Sequence, residues 1–191
     1  MNELKEVVEN LYTEFKPLSI FLYGSMATET NNSKSDYEVG IIFGTENYIS
    51  RNILSKSVNN SNFSVYPFKK EELINYEIDT PFQNNIYILS LIKSAKTLMG
   101  EEVIENLKNP NITTLDLLLD TRFNLGYALA SVQNYKNGNI GLANELFYKS
   151  CLFATRNLIY SLTGNLEVSY NAIFEQSKKI GIPEEYQTLL N

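Results

Sequence analysis

One break in periodicity decides what this chain can fold into. Up to Asn109-Pro110-Asn111, short runs of β-branched and aromatic residues are interspersed with helical patterns; beyond it the apolar residues recur at helical spacing, with no strand-like alternation. A turn cluster at such a change of character marks a unit boundary. The 191 residues are therefore expected to form an α+β structure in two parts, a sheet-containing half over residues 1–110 and an all-helical bundle over residues 111–191. With 43% hydrophobic residues there is enough apolar material for a core, and neither disorder nor a collagen-like repeat is open to the chain.

In the first half, Leu4, Val7, Val8, Leu11, Tyr12 and Phe15 lie at i, i+3, i+4, i+7, i+8 and i+11, which predicts an amphipathic helix over 2–15 stopped by Lys16-Pro17. The runs LSIFLY (18–23), VGIIF (39–43) and FSVYPF (63–68) predict strands. A connecting helix is expected over 46–59, the start of another over 69–77, and a helical turn within 86–99 that passes into a last strand at 96–99. In the second half, helices are expected over about 114–136, 141–162 and 168–180, closed by Asn137-Gly138-Asn139, Gly164 and Gly181, with Pro183 opening a short fourth. Leu115, Leu118, Leu119, Phe123, Leu125, Tyr127, Leu129 and Val132 give the first of these a broad apolar surface, more than the short helices that follow can cover.

Composition then removes whole classes of chemistry. Histidine is absent, which excludes Ser/His and Cys/His nucleophile pairs, His-ligated zinc and imidazole acid/base catalysis. Any chemistry must run on carboxylates, hydroxyls, Lys, Arg or a bound ion. The net charge of −6 and the lack of a basic stripe speak against nucleic acid as a partner and are compatible with a divalent metal or a cationic small molecule. One cysteine, Cys151, cannot close an intrachain disulfide; it is read as a buried small hydrophobe. No apolar run reaches the roughly 18 residues of a membrane span. The opening MNELKEVVENLYTEF lacks the basic and apolar regions of a signal peptide, so a cytoplasmic, soluble protein is expected.

The chemically informative stretch is FLYGSMATETNNSKSDYEVGIIF, residues 21–43. A strand delivers Gly24-Ser25, ten residues form a helical turn and loop, and Asp36-Tyr37-Glu38 leads into the next strand. In extended backbone i and i+2 share a face, so Asp36 and Glu38 can present two carboxylates to one site. Paired hard oxygens suit Mg²⁺, which keeps several waters and adds substrate phosphates to one or two carboxylates. Gly24 lets a phosphate approach the backbone and Ser25 adds a hydroxyl donor.

This pattern resembles the signature of the polymerase-β-like nucleotidyltransferase superfamily, a Gly-Ser pair ending a strand and then acidic-x-acidic entering the next. With Ser35 and the helical second half, it is most similar to the aminoglycoside (kanamycin-type) enzymes and to the minimal nucleotidyltransferases carrying a HEPN-like helical domain. The resemblance implies a small mixed sheet with helices on one side. It also implies Mg²⁺-dependent transfer of a nucleoside monophosphate from a nucleoside triphosphate to a hydroxyl of a small molecule, aminoglycoside-like polycations included. Asp36 and Glu38 would then hold metal, and Gly24, Ser25 and Lys34 the triphosphate. Asp120, which lies at i+4 from Asp116, would be the base that accepts the hydroxyl proton, where its position alone also reads as an acidic residue near a helix N-terminus answering the dipole, and the helical half would mediate a homodimer.

Two departures stand out. Met26 or Thr28 occupies a position where many members carry Arg. The strand that often bears a third carboxylate offers Asn62, Ser64 and Tyr66, none an anionic ligand at neutral pH. The alternative this motivates is a weakened nucleotide-binding or protein-interaction module, or an antitoxin-like AMP-transferase acting on a protein hydroxyl. The stretch TRNLIYSLTG around Arg156 resembles HEPN-like domains but lacks the histidine of HEPN ribonucleases. Arg156 is therefore read as structural or as a phosphate or substrate contact, and Glu145/Lys149 as a solvated i, i+4 ion pair.

Overall fold

The computed structural model describes residues 2–30 and 35–182; Lys34 and Pro183, both singled out in the sequence, lie outside the described residues. The chain divides into two compact units, Met1–Thr80 with Tyr87–Pro110, and Pro81–Ile86 with Asn111–Asn191.

The first unit runs α1 (Asn2–Phe15), β1 (Ser19–Tyr23), the single turn α2 (Gly24–Ala27), β2 (Tyr37–Phe43), α3 (Arg51–Val58), β3 (Phe63–Lys69), α4 (Lys70–Asn75), α5 (Asn84–Ser94, whose first turn belongs to the second unit) and β4 (Lys96–Gly100). A short 3₁₀ turn, Thr45–Asn47, replaces the beginning of the helix expected over 46–59. The four strands form one sheet in the order β3-β2-β1-β4. β1 is antiparallel to both β2 and β4, and β2 is parallel to β3. A parallel pair needs a crossover, and α3 supplies it.

Every residue of β1 is buried, which is why its sequence reads as a continuous apolar run and not as an alternation. Ile20, with Val39, Ile41 and Val65, faces Val8 and Leu11 of α1 and Leu54 of α3. Phe21 and Tyr23, with Ile42 and Phe68, pack with Leu73 of α4 and Ile88 and Leu91 of α5. Helices thus cover both faces of the sheet, where the resemblance implied one. Both alternating faces of β1 are apolar, and each requires cover.

Gly40 is fixed by packing, because the Phe21 ring lies over it and an added Cβ would stand 2.1 Å from Phe21 Cζ. Gly40→Ala is expected to lower stability by about 1–3 kcal/mol through overpacking. Urea denaturation checks this, and a loss below about 0.5 kcal/mol would mean that the ring moves aside freely.

The second unit is built on α6 (Thr114–Lys136), α7 (Ile140–Thr163) and α8 (Tyr170–Lys179). A capping box opens α6: the Thr113 hydroxyl accepts from the Asp116 amide, and Asp116 Oδ2 accepts from the Thr113 amide at 2.7 Å. Gln83 donates to Asp116 Oδ1, and the Phe82 and Phe123 rings meet edge to face, ties that bind 81–86 to this unit. Leu152, Ile159 and Ile173 form its small apolar core, with Cys151 beside them; the cysteine is half-buried, not buried as expected, and partial burial pushes its thiol up. The Glu145–Lys149 pair forms at 2.7 Å on the surface of α7.

The apolar surface of α6 is not what the helix buries. Leu115, Leu118, Leu125 and Leu129 are 57–74% exposed, whereas Asp116, Asp120, Asn124 and Ser131 are buried. The inner face works through polar contacts, among them Ser131 Oγ to the Ala143 carbonyl of α7 at 2.7 Å. Among the described residues no helix is long and apolar enough to cross a membrane.

Candidate active site

The end of β1 and the start of β2 bring Gly24, Ser25, Asp36 and Glu38 together in the first unit. Tyr23 and Glu38 are register partners, so β1 hands over to Gly24 beside the carboxylate. Gly24 has φ +71°, and a Cβ there would fall 1.7 Å from Glu38 Oε2: the carboxylate occupies the space that a side chain would fill. After Gly24 the backbone closes one helical turn, with the Thr28 amide and hydroxyl both bonded to the Gly24 carbonyl at 3.2 Å. The first amides of a helical turn have no partner within it, and the Ser25 N–H is one of them.

On the other side of Glu38 stands Ser64, its register partner on the parallel strand β3. The Ser64 hydroxyl donates to Asp36 Oδ2. Asp36, one residue before β2, therefore turns to the face that Glu38 and Ser64 share. The donor set is two carboxylates and one hydroxyl, and among the described residues no group of three or more acidic, His or Cys side chains is placed to hold a metal. Two carboxylates nonetheless fit Mg²⁺, whose remaining positions water and phosphate oxygens fill.

Behind the carboxylates lies a phenol cluster that sequence reasoning did not single out. Tyr23 is 6% exposed, its ring is 6.0 Å from that of Tyr66, and its hydroxyl is hydrogen-bonded to that of Tyr87 on α5. Burial, then the neighbouring phenol and the Glu38 charge, raise Tyr23 well above its usual value. Burial, followed by the Glu38 charge, pushes Tyr87 up to about 12 although its bond to Tyr23 pulls the other way. The position of Tyr23 just before Gly24-Ser25 was the available signal; nothing local marks Tyr87.

These shifts fix a pH dependence. The folded protein keeps phenol protons that the unfolded chain releases near pH 10, so this stability is complete below pH 10 and declines above it, the Tyr87 part being lost as pH rises through about 12. Thermal unfolding from about pH 8 to about pH 12 is expected to show a steeper decline in wild type than in Tyr87→Phe; parallel curves would refute the assignment.

Asp120 belongs to the second unit and is 3% exposed. Its Oδ2 accepts from Arg156 at 3.0 Å, Asn157 at 2.8 Å and Asn124 at 2.9 Å, tying α6 to α7. Burial lowers Arg156 while the Asp120 charge supports it. Arg156 is thus engaged structurally, as the first of the two expectations for it had it.

Residues 1–98 match the family described as Nucleotidyltransferase domain, just over half of the chain. The chain belongs to this family and is a nucleotidyltransferase. No curated protein matches the sequence. Among solved structures, the chain is similar to spectinomycin adenyltransferase AAD(9) from Enterococcus faecialis, solved with ATP and spectinomycin, at 15% identity and a TM-score of 0.60. The likeness covers 99% of this chain and 86% of that one, so the two share a fold. A looser likeness, at 14% identity and a TM-score of 0.39, covers 73% of this chain and 97% of one in a toxin-antitoxin structure with AMP-PNP.

Proposed function

We propose that this nucleotidyltransferase transfers a nucleoside monophosphate from a nucleoside triphosphate to a hydroxyl of a small molecule, with aminoglycoside-like polycations as the acceptor class. The observation that carries this is the seating of Glu38 against Gly24 with Asp36 brought alongside by Ser64. Bound Mg²⁺ would neutralise phosphate charge and stabilise the charge that develops on the reacting oxygens. Asp36 and Glu38 supply its protein ligands, while Gly24 and the Ser25 amide and hydroxyl hold the triphosphate. Lys34 is proposed as a further phosphate contact. The acceptor oxygen forms a bond to the α-phosphorus as the bond to the β-phosphate breaks, and pyrophosphate leaves. Asp120 is the proposed acceptor of the hydroxyl proton, as the resemblance to the kanamycin-type enzymes implies.

Calorimetric titration with ATP, GTP, CTP and UTP, with and without Mg²⁺, tests this reading. Metal-dependent binding of at least one triphosphate is expected, and binding of none overturns it. One observation favours a second reading: β3, the strand on which the resemblance often places a third carboxylate, carries none, and Ser64 pairs with Glu38 there, as it would in a nucleotide-binding module of weakened activity. Metal-dependent binding without transfer to any small acceptor would select it, and comparison with protein acceptors would separate the AMP-transferase variant.

The leucines exposed on α6 support a homodimer through the helical unit, since monomeric proteins rarely leave large contiguous apolar patches open. Light scattering at micromolar concentration is expected to give twice the chain mass; the mass of a single chain would remove this proposal.

A further inference from the structure

We propose that the hydroxyl pair of Tyr23 and Tyr87 is the positioning device for Glu38, holding its carboxylate against Gly24 and turned to the phosphate side. The inference rests on the reading of Glu38 as a metal ligand. Tyr23 and Tyr87 belong to an apolar cluster with Phe21, Ile88 and Leu91, where phenylalanine rings would pack as well. A hydroxyl retained there must be bonded to offset its desolvation. Two phenols that share one hydrogen bond use one O–H, and the other must be given elsewhere.

The carboxylate next to the pair is Glu38, seated against Gly24, the residue that follows Tyr23, and its charge reaches both phenols. It is the register partner of Tyr23 and lies on the same face of the sheet. The Tyr23 ring is itself held edge-on by Tyr66 and Phe68, at 6.0 and 6.5 Å, so the hydroxyl pair has a fixed base. A glutamate has a longer and freer side chain than the aspartate two residues before it. Asp36 is oriented by the Ser64 hydroxyl, and the phenol pair gives Glu38 the corresponding restraint.

Tyr87→Phe and Tyr23→Phe each remove a hydroxyl and keep the ring. The probe is Mn²⁺, titrated in the presence of a non-hydrolysable ATP analogue with free Mn²⁺ read by electron paramagnetic resonance. Loss of an orienting partner is expected to weaken Mn²⁺ binding about 10–100-fold in Tyr87→Phe, and in the same direction in Tyr23→Phe, with only a small fall in the unfolding midpoint near neutral pH from the hydroxyl left without its partner. Affinity within about twofold of wild type in both variants would overturn the proposal and leave the pair as core packing. Glu38→Gln separates the two levels of inference. If it binds Mn²⁺ as wild type does, the metal-ligand reading fails; if it loses binding while both phenol variants keep it, only the positioning role fails.

Discussion

Asp36→Asn/Glu38→Gln is expected to abolish metal-dependent nucleotide binding and to lower transfer by about 10³-fold or more, equivalent to about 4 kcal/mol of transition-state stabilisation. The substitutions are nearly isosteric. The Ser64 hydroxyl still finds an amide oxygen in place of Asp36 Oδ2, and the space beside Gly24 is still filled. Removing two like charges from one face should leave the unfolding midpoint unchanged or slightly raised. Calorimetric titration with Mg²⁺ and triphosphate, alongside thermal unfolding, reads both effects. A double variant that binds metal and nucleotide like wild type would show that the site lies elsewhere.

Asp120→Ala is expected to have the largest effect on stability. The Asp120–Arg156 pair is nearly enclosed, with side-chain exposures of 4% and 12%, and Asn124 and Asn157 donate to the same carboxylate oxygen. Breaking a buried pair strands a charge at a cost of about 3–5 kcal/mol. For a chain of this size that lowers the midpoint by roughly 6–20 °C. The Arg156 guanidinium, already disfavoured by burial, would lose the charge that supports it. Asp120→Leu/Arg156→Met should recover part of the loss, because neither charge is then buried. If Asp120→Ala unfolds within about 2 °C of wild type and transfer stops, the proton-accepting role stands and the structural one falls.

Much of this was legible where local patterns decide structure. The α1 stripe, the strands at 19–23, 37–43 and 63–69, and the turn residues closing the later helices all follow from short-range periodicity and capping. The Gly24-Ser25 and Asp36/Glu38 spacing led to the family, and the match over residues 1–98 agrees with it. What was not legible depends on tertiary partners. Periodicity shows that α6 has an apolar face but not which face its neighbours take, and here hydrogen-bonded polar side chains took it. Tyr87 reaches Tyr23 from a helix 64 residues further on, a contact that no local pattern announces. The cover on both faces of the sheet is implied by the run SIFLY, whose apolar residues fall on both alternating sets of positions.

The reversed α6 changes how variation in this chain should be read. Its outward leucines resemble core positions and yet occupy solvent-facing sites, so in an isolated chain polar replacements there touch little of the fold. Its Asp120 and Asn124 resemble surface positions, where drift costs nothing, but Asp120, with Asn124 donating to it, joins α6 to Arg156 and Asn157 of α7. A substitution table built on hydrophobicity would rank the two sets in the wrong order, tolerating change at Asp120 and Asn124 and forbidding it at Leu125 and Leu129.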